Sequence, residues 1–305
     1  MIMKETNSLG NLAIIILNYN TAGKIANQVT QLIAEGISSS IFYIIDNHSK
    51  IEDRKSLEDF SQKNNLNFIK SPENGGYAKG NNIAIAHAIN DGKIVFLILN
   101  PDIEIPLKTI STLYETISNE KELLFVGPRI CDKYDRNIIF SDGGILKPEK
   151  CFESDHLHYG RNVEEVNSSE KNYRIDYVNG SALMFKKETV EILGKMREDF
   201  FMYFEEAEWC YRLKQYPKYK QAILTNVVAY HEMSDKGDFY QFYMTRNRIY
   251  MCRLYQIPHK SLIKSYLYEA QKRFLGFKGN TKKNFSFFTT QVKAVLEGEF
   301  QKLNS

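Results

Sequence analysis

Asp102 ends the motif Asn100-Pro101-Asp102, which directly follows six consecutive apolar residues at positions 94–99. Because three of these six are β-branched, the run predicts a strand that is buried on both faces. Pro101 has no backbone N–H, so it ends the strand and stiffens the turn that carries the carboxylate. Open α/β sheets bind ligands at the carboxyl ends of their strands, where a carboxylate suits Mg²⁺ or Mn²⁺. An ordinary turn with a solvated aspartate is the alternative that this stretch leaves open.

Three glutamates, Glu205, Glu206 and Glu208, open a predicted helix directly after the aromatic run at positions 200–204. Acids in a first helical turn are commonly stabilised by the helix dipole, which is one explanation for all three. We keep that explanation for Glu208 and expect its side chain to face solvent.

The histidines and cysteines give no metal-binding motif. His156 and His158 are typical of a loop rather than of a metal site, since the sequence offers no further ligand nearby. The four cysteines are scattered, without Cys-x-x-Cys spacing. The sequence therefore predicts neither a zinc site nor a disulfide framework, and it fits a reducing compartment.

Polar side chains follow three predicted strands at the point where each strand ends. Asn18 follows a predicted strand at residues 12–17, Asp46 follows one at residues 41–45, and Asn100 follows one at residues 94–99. Predicted helices separate the strands, so we expect an α/β fold with a mainly parallel sheet and right-handed crossovers. Since parallel strands align their carboxyl ends, the three tips should line one crevice, which favours a nucleotide site. Residues 129–174 are predicted to form loops and short strands over that crevice.

Charge is divided unevenly along the chain. Its 305 residues carry a net charge of +3, but residues 239–283 contain ten Lys and Arg against one acid, Glu269. Nucleic-acid binding, docking on a membrane surface, and a packed helix pair with a solvated basic face are three interpretations of this segment. No apolar run is long enough to span a bilayer and the first ten residues lack an apolar segment, so we expect a cytoplasmic protein.

Six short motifs occur in a fixed order along the chain. They are ILNYN at 16–20, IDNHS at 45–49, NGGYAKGNN at 74–82, LNPD at 99–102, VNGSA at 178–182 and FMYFEEAEWCYR at 201–212. With His231 and Arg246-Asn247 after them, they resemble the inverting glycosyltransferases of family 2, which have the GT-A fold. The resemblance covers roughly residues 11–248 and is strongest to the rhamnosyltransferase-like branch of bacterial polysaccharide assembly.

The resemblance implies a nucleoside-diphosphate sugar as donor, dTDP-rhamnose first and a UDP-sugar second. By the family pattern, Tyr19 stacks on the pyrimidine base and Asp46 accepts its N3–H. Asp102 and His231 would hold a divalent metal, Mg²⁺ or Mn²⁺, although a buried or loop histidine is the alternative for His231. The further positions implied for nucleotide-sugar binding are Asn18, Gly76, Lys79, Asn82, Asn100 and Gly180.

The resemblance also implies a catalytic pair that usually reads Glu-Asp, with the aspartate as base. Here the pair is Glu205-Glu206, so Glu206 stands in the base position with one extra methylene. As base, it must reach the acceptor hydroxyl at about 2.6–3.2 Å. Trp209 and Arg246 are implied on the side of the acceptor, a saccharide or a polyprenyl-linked saccharide.

The implied organisation has a Rossmann-like sheet with flanking helices and a basic helical extension. We expect residues 11–127 to bind the nucleotide sugar, residues 128–238 to carry the acceptor and catalytic half, and residues 239–305 to form the extension. The resemblance favours an anionic inner-membrane surface over nucleic acid as the partner of that extension. A non-catalytic glycan-assembly partner that binds a nucleotide sugar is the alternative function. A nucleotidyltransferase is a weaker one, because only Lys24 is basic in the loop after the first strand.

Overall fold

The computed structural model describes residues 9–166, 170–232, 237–275 and 281–303. The strands in these ranges are β1 (Leu12–Asn18), β2 (Phe42–Asp46), β3 (Asn67–Lys70), β4 (Val95–Leu99), β5 (Ile103–Glu104), β6 (Leu123–Asp132), β7 (Ile139–Ser141), β8 (Gly144–Lys147), β9 (Glu153–His156), β10 (Lys171–Asn172), β11 (Ala182–Lys186) and β12 (Lys220–His231). The α-helices are α1 (Ala22–Ala34), α2 (Ile51–Lys63), α3 (Gly76–Asn90), α4 (Leu107–Asn119), α5 (Lys187–Leu193), α6 (Glu205–Tyr211), α7 (Asp238–Leu254), α8 (Lys260–Leu275) and α9 (Thr281–Phe300).

One sheet organises the molecule, with the strand order β10-β12-β6-β11-β4-β1-β2-β3. Strand β1 runs parallel to β2 and β4, β2 to β3, and β6 to β12. Strand β11 lies between β4 and β6 and is antiparallel to both. All five residues of β4 are buried, as expected for a strand covered on both faces. The prediction of a mainly parallel α/β sheet is confirmed.

Trp209 anchors the core behind the sheet. Its ring packs edge-on against Phe185, with centroids 4.9 Å apart, and against Phe125 at 5.1 Å. Its indole Nε1 donates a hydrogen bond of 2.8 Å to the carbonyl of Gly194, so the buried polar atom is satisfied. Because truncating a buried tryptophan costs about 3–5 kcal/mol of stability, this residue contributes strongly to the fold.

Residues 129–166 and 170–174 form short strands and turns, as predicted from their composition. Strand β7 pairs with β6, and β8 with β9 forms a separate two-stranded sheet. A buried bidentate ion pair joins Arg129 Nε and Nη2 to the carboxylate of Asp142, each bond 2.7 Å long. His158 Nδ1 lies 2.8 Å from the same carboxylate, so this histidine has a structural contact.

The C-terminal segment contains three helices within the described residues, where a helix pair was one of the predicted arrangements. Helix α9 packs against both α7 and α8. The exposed residues of α8 include Lys264, Tyr268 and Lys272. Lys278, part of the basic segment, lies outside the described residues. None of the described helices is long and apolar enough to cross a membrane.

Candidate active site

Asp102 and His231 are brought together by strand pairing. Strand β5 pairs antiparallel with the end of β12, which places His231 opposite Ile103. As a result, His231 Nε2 lies 3.7 Å from Asp102 Oδ2. Gln28 on α1 supports the turn before them, since its Nε2 donates to the carbonyls of Asn100 (2.9 Å) and Ile103 (2.6 Å). Sequence reasoning missed Gln28, because a lone glutamine on a helix gives no signal of so distant a contact.

The Asp102–His231 pair has free ligand atoms. Asp102 Oδ1 and His231 Nδ1 are buried and have no hydrogen-bond partner among the described residues. Burial lowers the pKa of His231, and the charge of Asp102 partly opposes this shift. The imidazole is therefore neutral at neutral pH, which is the form that binds metals.

The two residues fit a divalent cation that is held jointly with a phosphate-bearing substrate. The described part of the chain contains no cluster of three or more His, Cys, Asp or Glu side chains able to hold a metal alone. Mg²⁺ is commonly bound through one or two carboxylates together with substrate phosphates, and Asp102 supplies one such carboxylate. The imidazole of His231 is a ligand type that suits transition-metal ions.

Asn18 and Asp46 face each other at the ends of β1 and β2. Both are buried, and Asn18 Nδ2 donates to Asp46 Oδ1 at 2.9 Å. The backbone N–H of Ser49 donates to Asp46 Oδ2 at 3.2 Å. Tyr19 follows at the same tip with 49% of its surface exposed. The tip therefore has an exposed aromatic ring, that of Tyr19, and a buried carboxylate, that of Asp46, whose direction is fixed by Asn18 and Ser49.

Helix α3 fastens this half of the domain to the loop before α6. Gly76 has φ +80°, and an added Cβ would lie 2.1 Å from the carbonyl oxygen of Phe201. Only glycine fits there. The next residue, Tyr77, donates its N–H to that same oxygen at 2.6 Å and its hydroxyl to the carbonyl of Gly180 at 2.6 Å.

Two other predicted donor-site residues on α3 make protein contacts. Asn82 is buried, and its Nδ2 donates to the carbonyl of Met196 and to Glu198. Lys79 forms an ion pair with Glu73. In this structure the Asn82 side chain therefore joins α3 to residues 196–198, while Lys79 remains at the surface.

Glu205 and Glu206 begin α6 with different surroundings. Glu205 is only 3% exposed and Glu206 is half-buried in the cavity wall. Burial raises the pKa of Glu205 well above its usual range, and the charge of Glu206 raises it further. Burial also raises the pKa of Glu206, but nearby backbone N–H groups, including that of Gly180, oppose the shift. Glu205 therefore holds its proton more firmly, and Glu206 is the carboxylate available to the cavity.

Glu208 corrects one expectation, because its side chain does not face solvent. It is 3% exposed, lies 3.1 Å from Arg212 and accepts a hydrogen bond of 3.2 Å from the hydroxyl of Tyr255. Residues three apart share a helix face, so Glu205 and Glu208 lie on one buried face of α6 and Glu206 lies on another face.

Trp209 and Arg246 do not line the cavity in this structure, in contrast to their predicted place beside the acceptor. Trp209 lies in the core described above. Arg246 is buried, and its guanidinium donates to the carbonyl of Phe200 and to Asn247 Oδ1. Motif order alone does not tell which way a side chain points, which explains the difference.

Asn247 braces the loop that carries the glutamates. Its Nδ2 lies 3.0 Å from the carbonyl oxygen of Phe200, and 2.7 Å from those of both Met202 and Tyr203. Three aromatic residues of this loop, Phe201, Tyr203 and Phe204, have positive φ values between 62° and 73°. Such conformations cost about 1–3 kcal/mol each and persist only where neighbouring contacts hold them. Helix α7 supplies those contacts.

These elements enclose a cavity of about 420 Å³. It joins the Asp102–His231 pair to Glu205 and Glu206. Its aromatic and histidine lining comprises Tyr77, Phe140, His156, Tyr159, Tyr177, Tyr203, Phe204, His231 and Tyr240. Sequence reasoning missed Phe140, His156, Tyr159 and Tyr240 as site residues, since they come from segments far apart in the chain.

The family model described as "Glycosyl transferase family 2" matches residues 13–191, more than half of the chain. The chain belongs to glycosyl transferase family 2. The matched residues run from β1 into α5, so Glu206 and His231 of this family member lie outside them. Their place in the site rests on the geometry given above.

Two relatives of this family 2 chain are similar over most of its length. It is 31% identical over 214 residues to the low-salt glycan biosynthesis hexosyltransferase Agl10 of Haloferax volcanii, covering 69% of this chain. It is 22% identical over 260 residues to the dTDP-rhamnosyl transferase RfbF of Shigella flexneri, covering 81% of this chain and 82% of that one. The alignment with Agl10 spans 64% of Agl10, slightly less than two thirds of its length.

The structure is similar to a crystal structure of GalNAc-T7 with UDP, GalNAc and Mn²⁺. The TM-score is 0.60 at 14% identity, and the match covers 95% of this chain and 56% of that one. At this identity the likeness concerns the fold. The family 2 chain has the GT-A fold, as its sequence motifs predicted.

Proposed function

We propose that the chain transfers a sugar from a nucleoside-diphosphate sugar to an acceptor hydroxyl, with inversion at the anomeric carbon. The observation that carries this proposal is one cavity that joins a metal-competent pair, Asp102 and His231, to an available carboxylate, Glu206. A transferase needs both at once, since one end stabilises a leaving diphosphate and the other removes a proton.

In the proposed reaction, the acceptor oxygen forms a bond to the anomeric carbon while the bond from that carbon to the diphosphate breaks. Glu206 takes the hydroxyl proton, so no charged acceptor is left behind. A divalent cation held by Asp102 and His231 would offset the charge that develops on the departing diphosphate. The aromatic residues around the glutamates exclude water, which would otherwise hydrolyse the donor.

For the donor we propose a pyrimidine nucleotide, dTDP-rhamnose first and a UDP-sugar second. The exposed ring of Tyr19 offers a stacking face, and the fixed carboxylate of Asp46 offers an acceptor for N3–H. The name of RfbF, a dTDP-rhamnosyl transferase, supports the order of the two candidates. Residues 11–127 would form the donor half and residues 128–238 the acceptor half, with Lys79 and Asn100 near the donor.

The acceptor proposed here is a saccharide, either free or linked to a polyprenyl carrier, for assembly of a surface glycan. The glycan-biosynthesis role in the name of Agl10 supports this class. An anionic membrane surface is the proposed partner of the basic extension, at residues 239–305. Exposed Lys264, Tyr268 and Lys272 on α8 support that part of the proposal.

The test is incubation of the protein with dTDP-rhamnose, UDP-sugars and GDP-sugars in the presence of Mn²⁺. Release of nucleoside diphosphate, and the anomeric configuration of the product by NMR, are the readouts. We expect dTDP or UDP release and an inverted product. Tight nucleotide-sugar binding without turnover would favour the non-catalytic alternative, and much tighter binding of GDP than of dTDP or UDP would refute the base assignment.

A further inference from the structure

Four partly exposed aromatic rings line the cavity, those of Phe140, Tyr159, Tyr203 and Tyr240. We call this set the aromatic wall. Phe140 and Tyr159 meet edge-on with centroids 6.0 Å apart, and Tyr203 and Tyr240 meet edge-on at 5.1 Å. One pair comes from β7 and the turn after β9, and the other from the loop before α6 and from α7. Two separate parts of the chain therefore place rings on one cavity.

The cavity carries negative charge, because the carboxylates of Asp102 and Glu206 line it while no Lys or Arg of the described residues does. Burial raises the pKa of the Tyr77 phenol well above its usual range, and three neighbouring carboxylates raise it further. Those carboxylates are Glu206, Glu205 and Asp102. Because Glu205 holds its proton more firmly, Asp102 and Glu206 are the charged carboxylates of the cavity, and the only cation proposed there is the one that binds with the donor.

This charge distribution favours one kind of nucleophile. A phosphate or carboxylate acceptor is already ionised at neutral pH, so it needs no base and would be repelled by Glu206. A neutral hydroxyl needs a base and meets no such repulsion. Glu206 thus fits a hydroxyl acceptor whose neighbouring groups are uncharged.

We propose that the acceptor end is a neutral saccharide, which stacks a pyranose ring on the aromatic wall and presents a hydroxyl to Glu206. The inference rests on the proposed glycosyl transfer and names its second substrate. The C–H bonds on one face of a pyranose carry partial positive charge and pack on the negative face of an aromatic ring. A polyprenyl phosphate is excluded as the direct nucleophile, and any lipid carrier lies beyond the first sugar.

The first experiment is saturation-transfer NMR on the full chain with Mg²⁺ and UDP or dTDP present, since Mg²⁺ is diamagnetic and leaves the ligand signals sharp. The neutral probes are methyl glycosides of hexoses and 6-deoxyhexoses and short neutral oligosaccharides, and the anionic probes are galacturonate and farnesyl phosphate. We expect saturation on the ring C–H protons of neutral probes, and weaker or no binding of the anionic ones. Tighter binding of farnesyl phosphate, or no neutral probe bound while the nucleotide binds, would overturn the inference.

The second experiment uses variants of the aromatic wall. Tyr159→Ala and Tyr240→Ala should each weaken binding of the best neutral probe by about tenfold, while the affinity for nucleoside diphosphate with Mn²⁺ stays unchanged. Tyr240→Phe keeps the ring and should retain the affinity. Tyr134→Ala is the matched control, because Tyr134 is exposed and does not line the cavity. Equal loss in the control and the wall variants would overturn the inference.

The same measurements separate this inference from the proposed function. If no nucleotide sugar binds in the presence of Mn²⁺, glycosyl transfer itself fails. If the donor is consumed fastest with farnesyl phosphate as acceptor, transfer stands and the neutral-saccharide inference fails.

Discussion

At the scale of single residues, Glu205 and Glu206 show how one helical step separates two environments. Both line the cavity, but Glu205 is only 3% exposed while Glu206 is half-buried. We expect Glu206→Gln to lower turnover by about 10²–10⁴-fold, since a glutamine cannot take the acceptor proton. Donor affinity, measured by calorimetry with Mn²⁺, should stay near that of the wild type.

The matched control for that prediction is Glu205→Gln. Because Glu205 already holds its proton more firmly, the uncharged glutamine should cost little turnover. Substantial turnover in Glu206→Gln together with its loss in Glu205→Gln would assign the base to the neighbouring position.

Glu205 also makes stability depend on pH. Its pKa is raised in the folded state, so the folded protein binds a proton that the unfolded chain releases above about pH 4.3. The contribution of Glu205 to the free energy of unfolding is therefore fully present below that pH. It is lost as the pH rises towards the raised pKa of the folded state. Glu205→Gln does not titrate and so does not show this loss. The Tm of the variant minus the Tm of the wild type should therefore grow as the pH is raised from about 5 to about 8. A constant difference in Tm across this range would contradict the shift.

Asp102 is the residue on which metal dependence should rely. Asp102→Asn keeps the size but removes the charge facing the cation, so we expect turnover to fall by about 10²-fold or more. Mn²⁺ affinity in the presence of nucleoside diphosphate, followed by EPR, should fall with it. Asp135→Asn, at an exposed position outside the cavity, is the control. Full activity of Asp102→Asn in the presence of a chelator would refute the assignment.

At the scale of elements, α7 determines the shape of the loop that presents Glu206. Asn247→Asp keeps the side-chain size but loses the amide protons that serve three carbonyl groups. We expect kcat to fall at least about tenfold with a small change in donor KM, because the base is displaced and the nucleotide side is intact. Tm should fall as well, since each unsatisfied buried carbonyl costs about 1–3 kcal/mol.

The control for Asn247→Asp is Asn119→Asp, at an exposed position at the end of α4. Low pH protonates Glu206 in both proteins, so the informative quantity is the turnover of Asn247→Asp relative to that of the wild type. A rise of this ratio at low pH, where the new carboxyl is protonated and can donate once more, would support the role of Asn247 in holding the loop. Loss of stability with unchanged kcat would show that Asn247 serves the fold alone.

The elements also show where sequence reasoning succeeds and where it stops. The tips at Asn18, Asp46 and Asp102 were predictable, since a polar residue after a buried run marks the end of a strand. Gln28 and the aromatic wall were not, because their contacts join segments that only the folded chain brings together. Trp209 was assigned to the acceptor by motif position, but its size and apolar surface place it in the core.

At the scale of the whole molecule, the uneven charge leads to a prediction for the basic extension. Lys264, Tyr268 and Lys272 are exposed and spaced four apart, so they share one face of α8. Each Lys near an anionic surface contributes about 1 kcal/mol of attraction. We therefore expect flotation with anionic liposomes at low salt, reduced by high salt and by the double reversal Lys264→Glu with Lys272→Glu.

The control for this prediction is the double reversal Lys55→Glu with Lys121→Glu, which changes net charge equally at exposed positions elsewhere. No flotation at low salt, or equal loss in both double variants, would leave a packed helical extension with a solvated basic face.

Tyr77 joins the proposed donor half of the molecule, residues 11–127, to the proposed acceptor half, residues 128–238. Its N–H bonds the loop that carries the glutamates, and its hydroxyl bonds Gly180, while its helix begins in the donor-side motif. A change selected to admit a new nucleotide sugar at the start of α3 would therefore also shift the loop that carries Glu206, the proposed general base. Engineering of donor specificity in this protein will need compensating changes on the acceptor side, and the two specificities should evolve together rather than independently.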